Sequence, residues 1–155
     1  YTFSPISSYE DLVQNFRVKL NQLNKDILGD EELSNTEFKE ILMYLESKNI
    51  FDASQLIREN AGKGKIDIIK RNNSPLYLKL VDLKNIENNR FEVAHQIKTV
   101  GDYPGRFDVT LLINGLPFVQ IELKKPGVEI NQAFNQVLRY KRDGNYRGLF
   151  NCYFK

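Results

Sequence analysis

Asp108, Glu122 and Lys124 are the residues of this 155-residue chain whose types and spacing can do chemistry. Asp108 lies in the run Arg106-Phe107-Asp108-Val109-Thr110-Leu111-Leu112-Ile113, and the other two lie in Val119-Gln120-Ile121-Glu122-Leu123-Lys124. Successive side chains of a strand point to opposite sides, so Glu122 and Lys124, two apart, share a face. Two carboxylates from neighbouring strands can hold a divalent cation, with the backbone carbonyl of Leu123 as a further oxygen ligand. A cation so held polarises a phosphoryl oxygen and acidifies water, and a lysine beside it can orient that water or offset developing charge. The bland alternative is a solvated sheet face with an exposed ion pair worth less than about 1 kcal/mol. Glu-x-Lys alone recurs too often by chance to decide between them.

Composition narrows the choice of cation. One histidine, His95, and one cysteine, Cys152, exclude a multi-histidine site, a cysteine-rich zinc site and an internal disulfide. The remaining ligands are oxygens, which suit a hard cation such as Mg²⁺. The net charge of +2 neither requires nor excludes nucleic acid, because a local basic patch is enough. Ten Phe and eight Tyr supply the bulk for a core. No apolar run approaches the roughly 20 residues of a membrane span, and no basic-plus-apolar leader opens the sequence, so a cytoplasmic location is expected.

The elements that must position these residues follow from periodicity. Tyr9, Leu12, Val13, Phe16, Leu20, Leu23 and Ile27 form one stripe of a long amphipathic helix, with Gly29 as its stop. Ser34 and Glu37 match a capping box, and Phe38, Ile41, Leu42 and Leu45 continue it as a second helix. A short helix is expected over 51–58 and a loop over 60–65, where Gly62-Lys63-Gly64-Lys65 lacks the spacing of a phosphate-binding loop. Strands are expected at 66–70, 76–81, 91–100, 106–113 and 118–123, a helix at 129–142 and a last strand at 149–154. This is an α/β (α+β) chain read as one domain over 1–155, with a helical portion at 1–60 and a sheet core at 66–155.

Asn114-Gly115 between the two chemistry-bearing strands is a strong hairpin signal. A plain two-residue turn would put Val109 opposite Gln120 and mix apolar with polar faces. An odd-length loop or one β-bulge restores the match of odd with odd. The same register puts Asp108 on one face with Gln120, Glu122 and Lys124. We therefore expect an odd loop or a bulge here, with Phe107, Val109, Leu111, Ile113, Val119, Ile121 and Leu123 facing the core.

In the following helix, Ile130, Ala133, Phe134, Val137 and Leu138 are expected to pack inward. Gln132, Gln136 and Tyr140 form a second stripe beside them, and Gln136 and Tyr140 can reach a phosphate, a base or Lys124. Lys125, Lys141, Arg142 and Arg147 are candidate phosphate contacts, though charges near a helix end are usually just solvated. His95 is read as structural, and Cys152 as buried and inert.

The string Arg106-Phe107-Asp108-Val109-Thr110-Leu111-Leu112-Ile113-Asn114-Gly115-Leu116-Pro117, continued through Val119-Gln120-Ile121-Glu122-Leu123-Lys124, closely resembles the N-terminal endonuclease region of the restriction (motor) subunit of type I restriction–modification enzymes. Ala133-Phe134-Asn135-Gln136-Val137-Leu138-Arg139-Tyr140 resembles that family's next helix with its Q-x-x-x-Y element, and Asn89-Arg90-Phe91-Glu92-Val93 its preceding strand. The resemblance is good over residues 89–143 and loose over the helical first half. It implies a PD-(D/E)XK, RecB-like core: a mixed central sheet flanked by helices. It implies Mg²⁺-dependent cleavage of double-stranded DNA, with Asp108 and Glu122 as metal ligands, Lys124 as catalytic lysine, and Gln136 with Tyr140 as the auxiliary motif. It further implies that the chain is a fragment of a larger subunit. ATP would act only through a motor region absent from these residues, and the partners would be methyltransferase and specificity subunits. The acidic residue that many such nucleases carry on an early helix has three candidates, Glu37, Glu40 and Glu46. Two rival readings stay open: a DNA-binding or docking module that does not cut, and a resolvase- or repair-type nuclease with the same core.

Overall fold

The computed structural model describes residues 1–48, 52, 55, 64–99, 105–127 and 130–152. Helices come first. Ser8 caps α1 (Tyr9–Leu23) in a capping box with Asp11, and Ser34 caps α3 (Asn35–Glu46) in the expected box with Glu37. The long first helix is in fact broken. Between α1 and the short α2 (Lys25–Leu28) stands Asn24, a fully buried residue. Its amide nitrogen donates to the carbonyls of Leu20 and Lys79, both at 2.9 Å, and its oxygen accepts from the Lys79 N–H at 2.6 Å. Burying an amide is costly without partners, and Asn24 finds them only by leaving the helix to bind a strand end. Gly29, at φ +68, ends α2 as expected.

Among the described residues the sheet has the order β1 (Thr2–Phe3), β4 (Phe91–Lys98), β5 (Arg106–Ile113), β6 (Leu116–Ile121). β1 runs parallel to β4 and the rest is antiparallel, giving the mixed sheet with flanking helices of an α+β fold. β2 (Lys65–Arg71) and β3 (Ser74–Lys79) make a separate hairpin turned by Asn72 and Asn73, both at positive φ. Arg71 on β2 ties this hairpin to α3 through two hydrogen bonds to Glu37, at 2.8 and 2.9 Å. The expected helix over 51–58 and most of the 60–65 loop lie outside the described residues.

The β5–β6 hairpin satisfies both sequence signals. Asn114 (φ +51) and Gly115 (φ +79) make a two-residue turn with Ile113 opposite Leu116. A bulge then takes up Phe118, so that Leu111 meets Val119 and Val109 meets Ile121. Parity is as expected and Phe107 is buried as expected, but along the rest of the hairpin the core lies on the other face. Thr110, Leu112 and Ala94 are fully buried, whereas Val119 and Ile121 are each 39% exposed and Leu123 is 61% exposed. The reason is α1, which crosses the even-numbered face: Asn15 donates to Glu92 of β4 at 3.0 Å, and the Phe16 backbone lies against Gly115.

Two further expectations are corrected. The helix α4 (Ile130–Arg142) does not bury its apolar stripe: Ile130, Phe134 and Leu138 are 83%, 61% and 48% exposed, and Tyr140 is its one buried residue. Tyr140 meets Phe107 edge-on at 5.1 Å and turns the Gln136–Tyr140 edge toward the sheet. Of the strand expected over 149–154, the described part is a 3₁₀-helix, Gly148–Cys152, and the remainder lies outside the described residues. Gly144 and Gly148, both at positive φ, turn the chain back so that Leu149 and Phe150 plug the core against Phe107.

Candidate active site

Asp108, Glu122, Lys124, Gln136 and Tyr140 come together in one hydrogen-bonded cluster. The bulge sets the register that brings Asp108 and Glu122 side by side, and one Asp108 carboxylate oxygen accepts the Leu123 N–H at 2.9 Å. Across from Asp108 on β4 stands Gln96, whose φ of +59 is left-handed inside a strand. Backbone held in so sparsely populated a region is paid for by its surroundings and is common near functional sites.

The Glu122 side chain is only 5% exposed and both its oxygens are engaged. Oε1 accepts from the Gln120 amide at 2.6 Å and Oε2 from the Gln136 amide at 2.7 Å. Gln136 faces this site from α4. Its amide nitrogen also donates to the Tyr140 hydroxyl at 2.7 Å, which donates in turn to the Arg106 carbonyl at 2.7 Å. The Gln136 oxygen accepts from the Lys124 ammonium, which lies 4.0 Å from Glu122 Oε2. The i, i+4 spacing of Gln136 and Tyr140 puts both on one edge of the helix.

Asp108 and Glu122 are an electrostatically strained pair. Burial, and after it the negative charge of Asp108, push the Glu122 carboxyl above the usual carboxylate range. Two acids held together where water is largely excluded repel, and a divalent cation between them relieves that cost. The donor set is all oxygen, so the residues fit a hard cation such as Mg²⁺. Among the described residues no group of three or more His, Cys, Asp or Glu is placed to hold a metal. None of the three candidates for an additional acid joins the cluster: Glu37 caps α3 and pairs with Arg71, Glu46 accepts from Tyr9, and Glu40 is exposed. His95 lies on the open odd-numbered face, its ring 4.9 Å from Phe3. Of the expected basic contacts, Lys125, Lys141 and Arg147 are exposed, and Arg142 pairs with Asp143.

A family model described as the type I restriction enzyme R protein N terminus matches residues 5–153. The chain belongs to that family. It is 40% identical over 145 residues to a type I restriction enzyme endonuclease subunit of Staphylococcus aureus (strain COL), covering 94% of this chain and 15% of the relative. It is 39% identical over 150 residues to such a subunit of Staphylococcus saprophyticus, covering 97% of this chain and 16% of the relative. The EcoprrI endonuclease subunit of Escherichia coli is 53% identical over 64 residues, 41% of this chain and 20% of the relative. The chain thus spans less than a fifth of the length of the staphylococcal relatives.

Sequence reasoning left out two members of the cluster. Gln120 was placed on the right face without a task, and Tyr146, whose hydroxyl donates to the Gln120 oxygen, was not singled out. The available signal for Gln120 was a polar residue at a strand position flanked by Val119 and Ile121 on the face that carries the acids. For Tyr146 no local signal exists, because its place depends on the chain reversal after α4.

Proposed function

We propose that this chain is a Mg²⁺-dependent PD-(D/E)XK endonuclease domain that hydrolyses phosphodiester bonds of double-stranded DNA within a type I restriction enzyme. The observation that carries this reading is the cluster itself: two adjoining carboxylates, one buried and raised, with a lysine held beside them. Asp108 and Glu122, with the Leu123 carbonyl, would hold the cation. Bound there, Mg²⁺ supplies Lewis acidity toward the phosphodiester and a lowered pKa for the attacking water. Gln136 fixes Glu122 through its amide nitrogen and Lys124 through its oxygen, so one side chain sets the spacing of acid and ammonium. The Lys124 ammonium then offsets charge that develops on the phosphoryl oxygens, or orients the water that attacks them. Tyr140 keeps Gln136 in the required orientation by accepting its second N–H.

Because relatives named as endonuclease subunits are several times longer, cutting is to be tested in the full-length subunit, assembled with methyltransferase and specificity subunits and supplied with ATP for the motor. Replacing Glu122 or Lys124 with Ala should lower duplex cleavage by about 10²-fold or more while a cooperative thermal melt shows that the domain still folds. Cleavage retained in either variant would sink the assignment.

A further inference from the structure

Glu122 is gripped from two sides, and the second side has the same composition as the first. On α4 the grip is Gln136 with Tyr140. From the sheet it is Gln120 on β6, with Tyr146 beyond the end of α4. We propose that Gln120 and Tyr146 are a second glutamine–tyrosine arm that fixes the Glu122 carboxylate for cation binding, as positioning residues that do not touch the substrate. The proposal rests on the reading of Glu122 as a cation ligand.

The direction of each hydrogen bond follows from charge. An ionised carboxylate only accepts, so the Gln120 nitrogen must face Glu122 Oε1. The Gln120 oxygen must then face away from it, and there it meets the Tyr146 hydroxyl. Two acceptors cannot face each other, so Tyr146 donates. Burial, followed by the nearby charge of Glu122, pushes the Tyr146 hydroxyl up to about 12, which keeps its proton available across the working pH range. Without that donor the Gln120 amide is free to turn over and present oxygen to oxygen at Glu122. With the Glu122 side chain only 5% exposed, solvent is a poor replacement.

Tyr146 is itself held in place. Its ring stacks on Phe107, with centroids 5.5 Å apart and planes 17° apart, and meets the Tyr140 ring edge-on at 6.4 Å. The residue before it, Asn145, is 1% exposed; its N–H donates to the Tyr140 carbonyl at 2.9 Å and its side chain accepts from Thr99. Both tyrosines therefore lean on Phe107, the neighbour of Asp108 in sequence. The two arms differ in polarity: Tyr140 accepts from its glutamine, whereas Tyr146 donates to its own. Outer-shell partners of metal ligands commonly tune affinity by 10–100-fold.

The test is a calorimetric titration of Mn²⁺ into the 155-residue chain and its variants, with melting temperatures in parallel. Tyr146→Phe keeps the stacked ring and removes only the donor, and Gln120→Leu removes the arm. We expect Kd to rise on the order of 10-fold or more in Gln120→Leu, and several-fold in Tyr146→Phe, with little change in melting temperature. Because Tyr146 acts through Gln120, Tyr146→Phe should add nothing when Gln120 is already Leu. An unchanged Kd in both single variants, or full additivity in the double variant, overturns the proposal. A loss of melting temperature with Kd unchanged would make the arm purely structural and also overturns it. Absence of any Mn²⁺ binding that is lost in Asp108→Ala overturns the underlying cation reading, and this proposal with it.

Discussion

Glu122 makes the fold less stable at neutral pH than it would be with a neutral side chain in an equally satisfied setting. Its folded-state pKa is raised above the ordinary 4.5 by burial first and then by Asp108. A raised carboxyl contributes stability that is fully present below the unfolded value and is lost as pH rises through the folded value. A cation that neutralises the pair should restore it. At a Mg²⁺ concentration ten times Kd the expected gain is about 1.4 kcal/mol, by mass action on the folded state alone. Thermal scans at pH 7.5 with and without Mg²⁺ measure it; the increment should shrink as pH falls and protonation of the raised carboxyl competes, and vanish in Asp108→Ala. An equal increment in Asp108→Ala would place the bound ion elsewhere. The acids and the lysine were legible because the hairpin register puts Asp108 on the side of Glu122 and because the long string around them resembles the family, although Glu122 and Lys124 lie just past the end of β6 at Ile121. Gln136 and Tyr140 were legible through helical spacing and the family resemblance. Tyr146 was not, because hydrogen-bond direction and a chain reversal bring it to the site.

At the scale of elements, the β5–β6 hairpin sets the site, and its register was legible because a buried strand face tolerates no slip. Asn114-Gly115 gave the turn, and matching the faces of β5 and β6 demanded the extra residue that Phe118 supplies as a bulge. Which face meets α1 was not legible, since both faces of β5 carry apolar residues. The turn has a second constraint that no local pattern reveals. A Cβ on Gly115 would stand 2.6 Å from the Phe16 Cα and 2.8 Å from its nitrogen, backbone atoms that cannot step aside. Gly115→Ala should therefore cost the strain of a left-handed residue, about 1–2 kcal/mol, plus about 1–3 kcal/mol for forcing α1 off the hairpin. Gly127, also at positive φ but with nothing within 4 Å of its Cβ position, should cost only the strain when changed to Ala. Urea denaturation of the two variants checks the difference; equal losses would mean that α1 yields without resistance.

At the scale of the whole molecule, hydrophobicity and burial part company. Helical periodicity says which residues of α4 share a face, not whether anything covers that face. Ile130, Phe134 and Leu138 share one, and it is open, because the Phe107–Tyr140 contact fixes the helix by its other edge. Phe134→Ser should accordingly change stability by less than about 0.5 kcal/mol, whereas Leu112→Ala, fully buried on β5, should cost about 2–5 kcal/mol. Comparable losses in denaturant midpoints would show that α4 packs inward after all. The far end of the core offers a probe of the same boundary. Cys152 is fully buried beside Leu149 and Phe150, in a segment whose apolar run reads as a strand but whose flanking glycine, Gly148, makes it a tight helical turn against Tyr9. Burial alone pushes its thiol up to about 12, so almost no thiolate exists at pH 8 in the folded chain. Since the thiolate is the reactive form, an aromatic disulfide reagent should label Cys152 only through opening of the core. The labelling rate should then fall as stability rises on withdrawal of urea, and rise in Leu112→Ala by the factor that its stability loss dictates. Rapid labelling independent of urea would show instead that the 3₁₀-helix frays from the core separately, releasing Phe107 and with it the ring on which both site tyrosines rest.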